Sequence, residues 1–310
     1  MPTALEKLSL HAAKQLGLIT HAQATAAGLS RTAISRLVRS GEWLAVRPKI
    51  FRRAAASQTE AQLQLATCLW LGEGTVVSHR SAAKLWGLDV APQALAVTSK
   101  SAWKKAAVEG VVVHRSQSLD PEDVRVRNGI PVTSVARTLI DLASCLDEEK
   151  LAIVVEEAWR RQLAAPDWVQ RRMRQLEVRG RQGARALSRI LADCRRRKVP
   201  LESALEVRVW WLMRRSKLPL PTPAYEFRDD HGQPGRVDFA YPHRQLAIEA
   251  DGFAHHSERD AFERDRVRTS RLVALGWRVM PLTSRQLDSQ PSRVVERIRS
   301  ALEFQVERVK

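Results

Sequence analysis

The chain has 310 residues, 44% of them hydrophobic, which is enough for two or three domains with cores of their own. Lys or Arg interrupts every apolar segment, which excludes a membrane-spanning helix, and we expect no signal peptide in the amphipathic first twenty residues. The net charge of +17 favours a polyanionic partner, and nucleic acid is the one that fits. A GC-rich genome would also give an Arg-rich and Ala-rich chain, so the positions of the charges must decide.

The cysteines Cys68, Cys145 and Cys194 are far apart and show no disulfide or zinc-binding spacing. They are interpreted as small buried apolar residues. A reducing compartment fits this pattern, and we expect a cytoplasmic protein.

The first 55 residues predict three short helices followed by two strands. Helices over 4–16, 21–27 and 31–39 are separated by glycines, and Thr20 and Ser30 stand at N-cap positions. A helix, a short turn containing Gly and a second helix form the helix-turn-helix signature. Residues 1–55 are therefore predicted to be a winged helix-turn-helix domain.

The third helix and the wing of this domain carry the candidate DNA contacts. The helix has one apolar side, which leaves a basic outward side suited to the major groove. The strands over 43–46 and 50–52 flank a basic turn. The predicted DNA-binding residues are Arg31, Thr32, Ser35, Arg36, Arg39, Arg47 and Lys49. The alternative is a three-helix module that packs against protein.

Residues 56–195 are predicted to be an α+β middle region without a catalytic constellation. His79 and His114 have no partner at ligand spacing and are interpreted as scaffold histidines. Glu156 is interpreted as a solvated residue on a helix. The basic run 195–198, ended by a proline, predicts the boundary to the next domain.

A hairpin in the third region, residues 196–310, places acidic residues together. Alternating apolar residues predict strands on both sides of a tight turn centred on His243 and Arg244. This register puts Asp238 opposite Glu249, with Asp251 two residues further along the same face. Opposed like charges destabilise a strand pair, so the pattern predicts a bound cation. Hard oxygen ligands suit Mg²⁺ or Mn²⁺.

The rest of this region predicts a mixed sheet flanked by helices, in the order α-β-β-β-α-β-α. Glu206, on the first helix, could reach the same edge as the hairpin acids, and His255 or His256 could serve as a proton shuttle. The alternative is a surface hairpin with solvated acids and two loop histidines.

Residues 200–305 resemble a bacterial family of domains of unknown function that is allied to the very short patch repair (Vsr-like) endonucleases, in the PD-(D/E)XK nuclease superfamily. The resemblance rests on Ser203-Ala204-Leu205-Glu206, Val237-Asp238-Phe239, Ile248-Glu249-Ala250-Asp251-Gly252-Phe253-Ala254-His255-His256, Phe262-Glu263-Arg264-Asp265-Arg266 and Gly276-Trp277-Arg278-Val279. It implies a restriction-endonuclease-like α/β domain that cleaves DNA with Mg²⁺ or Mn²⁺.

The same resemblance implies roles for individual residues. Asp238 would be the metal-binding acid after the first strand, Glu206 the helix-borne acid, and Glu249 the acid of the D/E-x-K element. Asp251 takes the place of the lysine in that element and joins the predicted metal ligands. His256, and after it His255, would substitute for the lysine.

The front of the chain is similar to the winged-helix antitoxin of AbiE-type (type IV) toxin–antitoxin systems. The similarity rests on Gly17-Leu18-Ile19-Thr20-His21-Ala22-Gln23, Gly28-Leu29-Ser30-Arg31-Thr32-Ala33-Ile34, Ser78-His79-Arg80-Ser81-Ala82-Ala83-Lys84-Leu85-Trp86-Gly87-Leu88 and Ile130-Pro131-Val132-Thr133-Ser134-Val135-Ala136-Arg137-Thr138-Leu139. It implies a regulator that represses its own operon, with DNA and a cognate toxin as partners.

Three functions follow for this multidomain α+β chain. The first is a DNA-binding, metal-dependent endonuclease. The second is a non-enzymatic antitoxin and repressor whose nuclease-like domain only binds DNA or a partner. The third is an antitoxin whose basic charge serves an acidic protein. The oligomeric state stays open.

Overall fold

The computed structural model describes residues 3–91, 93–100, 110–176, 182–251 and 259–304. These residues form helices and three sheets, which confirms the predicted multidomain α+β class. They divide into two compact units, Met1–Cys145 with Trp168–Ala184 and Leu146–Asp167 with Arg185–Lys310. Each unit is thus built from two separate stretches of chain, whereas the sequence predicts divisions near residues 55 and 195. Within the described ranges no helix is both long enough and apolar enough to cross a bilayer.

A winged helix-turn-helix opens the first unit. Its elements are α1 (Ala4–Lys14), β1 (Leu18–Thr20), α2 (His21–Ala26), α3 (Arg31–Arg39), β2 (Trp43–Arg47) and β3 (Ile50–Arg53), and the sheet order is β1-β3-β2. The side chains of Thr20 and Ser30 cap α2 and α3, because each accepts a hydrogen bond from the N–H three residues on. Ile34 and Trp43 are buried in the core that these elements share. The predicted helix-turn-helix and wing are confirmed.

A five-stranded sheet in the order β6-β5-β4-β8-β7 forms the rest of the first unit. Its elements are α4 (Glu60–Leu71), β4 (Val76–Val77), α5 (His79–Leu85), β5 (Leu95–Ser99), β6 (Val111–Arg115), β7 (Val124–Arg127), β8 (Ile130–Thr133) and α6 (Val135–Leu142). Strand β7 is absent from the sequence prediction. Asn128 and Gly129 form its turn to β8, both with positive φ (51° and 77°), which is the backbone that suits a two-residue hairpin.

Buried ion pairs connect the second stretch of the first unit, Trp168–Ala184, to the first stretch. Helix α7 (Glu148–Arg160) precedes α8 (Pro166–Gln175), and Arg172 of α8 is 4% exposed. Its guanidinium pairs with Asp123 at 2.7 Å, and Asp123 also pairs with Arg137 at 3.0 Å.

Close backbone packing holds the same stretch at Gly183. A Cβ on Gly183 would lie 1.6 Å from the carbonyl oxygen of Ala143, so this position requires glycine.

The second unit has one four-stranded sheet in the order β12-β11-β10-β9, with helices around it. The remaining elements are α9 (Ala184–Arg197), α10 (Ala204–Arg215), β9 (Thr222–Arg228), β10 (Pro234–Tyr241), β11 (Leu246–Asp251), α11 (Arg259–Ala274), β12 (Arg278–Thr283), α12 (Ser284–Ser289) and α13 (Pro291–Glu303). Strands β9, β10 and β11 are antiparallel neighbours, while β12 pairs with β11 in parallel. The predicted mixed sheet is confirmed.

A buried ion-pair network joins α7, α9 and α10 of this unit. Glu156 and Arg197 pair with each other, and both side chains are 2% exposed. Glu156 also accepts hydrogen bonds from the Leu201 N–H and the Cys194 thiol. The interpretation of Glu156 as a solvated residue is therefore wrong. The basic run near residue 195 is the end of α9, and Arg197 within this run pairs with the buried Glu156.

The cysteines only partly match the prediction. Cys68 and Cys194 are buried, whereas Cys145 is exposed at the end of the first stretch of chain. Burial raises the pKa of the Cys68 thiol to about 12, so it stays protonated and packs as a small apolar group.

Candidate nucleic-acid interface and candidate nuclease site

Helix α3 presents its predicted contact residues to solvent. Ile34 is buried beneath it, and the residues left on its outer side are exposed. These exposed residues are Arg31, Thr32, Ser35, Arg36 and Arg39. A capped helix with three outward arginines provides the charge and the free side chains that a major-groove contact requires.

The exposed cations of the wing differ in part from those that the sequence predicts. Lys49 is exposed at the wing turn, where its φ of +65° lies in the left-handed region. Arg47 instead turns toward α4, and its Nε donates a hydrogen bond to the Thr67 hydroxyl at 3.3 Å. Burial lowers the pKa of Arg47. Arg53, exposed at the end of β3, is a wing cation that the sequence analysis missed.

Replacing Arg31, Arg36 and Arg39 together by Ala is expected to weaken duplex binding by at least about tenfold. The slope of the logarithm of the binding constant against the logarithm of the salt concentration should become shallower by about one for each lost phosphate contact. The physical reason is that each arginine releases condensed counterions when it meets a phosphate. The measurement is a mobility shift of a promoter fragment at two salt concentrations.

A triple variant of exposed arginines outside the winged helix, Arg125, Arg195 and Arg196 to Ala, is the matched control. It removes the same net charge. Equal weakening by both triple variants would mean that general basicity, rather than α3, holds the DNA.

The strand pair β10–β11 has the register predicted from the sequence. Phe239 pairs with Ile248 and Tyr241 with Leu246, so Asp238 and Glu249 are the next residues outward on the two strands. The turn is a 3-10 turn over Pro242–Arg244 followed by a left-handed Gln245. The carboxylate of Asp238 accepts a hydrogen bond from the Ala250 N–H at 2.7 Å, and burial raises its pKa.

Glu249 lies beside a cation that α11 provides. Its carboxylate is buried and pairs with the guanidinium of Arg268 at 3.2 Å. Asp251, two residues on, is exposed at the end of β11 and is the register partner of Thr283 on β12. An exposed acid, Asp251, therefore stands where the D/E-x-K element has its lysine.

Glu206 extends the acidic cluster from helix α10. Ser203 caps this helix by accepting the Glu206 N–H at 3.1 Å, and the Glu206 carboxylate accepts the Glu202 N–H at 2.9 Å. Burial, with a further contribution from the negative charge of Asp238, raises the pKa of Glu206 to about 7. Glu202 pairs with Arg236 of β10. This ion pair joins the start of α10 to β10, the strand that carries Asp238.

The donor set of this site suits a hard cation, because it consists of carboxylate oxygens. In the part of the chain that the structure describes, no three His, Cys, Asp or Glu residues are grouped closely enough to hold a metal ion. The other predicted participants, His255 and His256, lie outside the described residues.

His79 and His114 come together in the first unit. Their rings stack with centroids 3.6 Å apart and planes 17° from parallel. Burial is the main cause that lowers the pKa of each to about 4, and the positive charge of Arg137 contributes at His79. Both remain scaffold residues, but each has a close partner that spacing along the chain does not reveal.

Two families match separate parts of the chain. Residues 6–54 match the family described as "Transcriptional regulator, AbiEi antitoxin", and residues 225–302 match the family REase_MTES_1575. The chain therefore has an AbiE antitoxin-type domain at its N-terminal end and a restriction-endonuclease-like domain at its C-terminal end. Asp238, Glu249 and Asp251 lie inside the second match, and Glu206 precedes it. The narrower Vsr-like assignment stays a prediction.

Similar proteins occur in Mycobacterium tuberculosis. "Uncharacterized protein MT2308" of strain CDC 1551 / Oshkosh and "Uncharacterized protein Rv2248" of strain ATCC 25618 / H37Rv are each 27% identical to this chain over 232 residues. The alignment covers 74% of this chain and 82% of each relative. The crystal structure of the RV2827C protein from the same species superposes with a TM-score of 0.40 and 17% identity, over 62% of this chain and 77% of that one.

Proposed function

We propose that this protein is a DNA-binding regulator that also cleaves DNA: the winged helix binds the duplex, and the C-terminal domain hydrolyses phosphodiester bonds with Mg²⁺ or Mn²⁺. The supporting observation is that Asp238 and Glu249 are neighbours in the β10–β11 register, and that the pKa values of Asp238 and of Glu206 on α10 are raised. Raised carboxyl pKa values in a cluster are a mark of functional sites.

Asp238 and Glu249, joined by Asp251, would hold the cation. When bound, Mg²⁺ or Mn²⁺ would neutralise charge at the scissile phosphate and lower the pKa of a water molecule. Glu206 is suited to proton transfer, because a carboxyl with a pKa of about 7 takes up and releases a proton near neutral pH. His256 and His255 are the proposed proton donors to the leaving oxygen.

The direct test is cleavage of plasmid and oligonucleotide DNA in Mg²⁺ or Mn²⁺ by the full chain. Asp238→Asn removes a proposed ligand but keeps the side-chain shape, and is expected to lower the cleavage rate by about 100-fold or more. The measurement is the initial rate of supercoiled plasmid loss.

Asp230→Asn is the matched control, because Asp230 is an exposed acid at the tip of the β9–β10 turn. It should cleave at the original rate. Absence of cleavage by the unaltered chain, or equal cleavage by it and Asp238→Asn, would reject the nuclease proposal.

A second candidate is the non-enzymatic repressor of an AbiE-type system, with a cognate toxin as partner. Asp251 in the lysine position favours it, since that position gives no cation to the scissile phosphate. The AbiEi match over residues 6–54 supports the regulatory half of both candidates. A promoter shift without DNA cleavage in either metal would select the repressor.

A further inference from the structure

The guanidinium of Arg268, on helix α11, lies beside the carboxylates of the strands β10 and β11. Glu249 and Asp251 occupy the acidic and the lysine positions of the D/E-x-K element on β11, and Glu249 pairs with the Arg268 guanidinium at 3.2 Å. The positive charge of Arg268 also acts on Asp238. Arg268 is 34% exposed, so its guanidinium reaches solvent as well as the acids.

Helix α11 fixes the direction of this side chain. Leu272, one turn after Arg268, is completely buried and packs in the same core as Val237 and Ala247. Residues four apart lie on one face of a helix. Packing of Leu272 against the sheet therefore keeps Arg268 turned toward the strands that carry Asp238 and Glu249.

We propose that Arg268 is a counter-ion that a divalent cation displaces from Glu249, and that the released guanidinium then binds a DNA phosphate. This proposal rests on the proposed nuclease function. A guanidinium and a divalent cation repel each other at the carboxylate that both would use. Once displaced, Arg268 has the planar donor geometry that matches phosphate oxygens, and it brings positive charge to a site whose lysine position is acidic.

The first test is Mn²⁺ binding to the full chain, measured by the electron paramagnetic resonance of free Mn²⁺. Arg268→Gln is expected to bind Mn²⁺ about tenfold more tightly than the unaltered chain, because the competing charge is gone. Arg268→Lys keeps the charge and should bind Mn²⁺ about as the unaltered chain does.

Arg271→Gln is the matched control on the same helix. Arg271 pairs with Asp229 at 2.7 Å, away from the cluster, so its replacement should leave Mn²⁺ affinity unchanged. Unchanged or weaker Mn²⁺ binding by Arg268→Gln, with binding abolished in Asp238→Asn, would overturn the displacement while the metal site stands. Absence of Mn²⁺ binding in every protein would overturn the metal-dependent function together with this inference.

The second test separates the phosphate contact. Affinity for a short duplex is compared in Ca²⁺ and in chelator, since Ca²⁺ takes the same oxygen ligands. The unaltered chain and Arg268→Lys should gain several-fold in affinity with Ca²⁺, and Arg268→Gln should lose that gain. A gain retained by Arg268→Gln would overturn the phosphate contact.

Discussion

Arg197→Met is expected to lower the free energy of unfolding of the second unit by about 3–5 kcal/mol. The substitution leaves the Glu156 carboxylate, 2% exposed, without the charge that neutralises it. It also removes the guanidinium that stacks 5.2 Å from the ring centre of Trp210. A buried charge that loses its partner is among the most destabilising changes in a protein interior.

The measurement is native-state hydrogen exchange on peptides of α9 and α10, which reports the opening of this unit by itself. Arg195→Met is the control, because Arg195 is exposed and its pair with Asp167 at 3.5 Å is solvated; it should change stability by less than about 0.5 kcal/mol. Adding Glu156→Gln to Arg197→Met should restore part of the loss. Equal effects of the two arginine variants would show that the pair is not the cause.

Glu206→Gln is expected to stabilise the protein at pH 8 by about 2–3 kcal/mol and to leave its stability at pH 4 nearly unchanged. The pKa of Glu206 is raised from 4.5 to about 7, chiefly by burial, so the folded state binds this proton more tightly than the unfolded state does. Stability is therefore lost as the pH rises from 4.5 through 7. The glutamine has no proton to lose and should remove that decline.

The measurement is guanidinium-induced unfolding of the full chain at pH 4, 6 and 8, without divalent cations. Glu202→Gln, an exposed acid in the turn before α10, is the control and should keep the decline between pH 4.5 and 7. A parallel pH dependence in Glu206→Gln and the unaltered chain would show that another group causes it.

Local patterns in the sequence are sufficient for the elements that position both candidate sites. Cap residues such as Ser30 determine where helices begin, because they satisfy N–H groups that have no partner within the helix. Alternation and a turn determine the β10–β11 register, because a slip by one residue would move Phe239 out of the core and Asp238 into it. The same reasoning would also predict strand β7, because Asn128-Gly129 is a strong signal for a hairpin between two strands.

Long-range pairs are what the sequence leaves undecided. Arg197 and Glu156 belong to different helices, and a single sequence does not show that either charge is buried. The same holds for Arg268, whose partner Glu249 lies on a strand nineteen positions earlier. His79 and His114 stack only because α5 and β6 meet in the folded unit. These contacts depend on tertiary packing rather than on any local period.

The chain passes from the first unit to the second, back to the first and again to the second. This order limits the points at which genes for two such proteins can recombine. The first unit needs Trp168–Ala184, and the second needs Leu146–Asp167, which comes before it in the chain. A crossover at any single point between residues 146 and 184 would leave at least one unit with stretches from two different parents. Exchange of the nuclease-like part between homologous genes should therefore keep stability where both parents share the residues of α7, of α8 and of the acids that pair with Arg172. This requirement couples the evolution of the two parts of the chain.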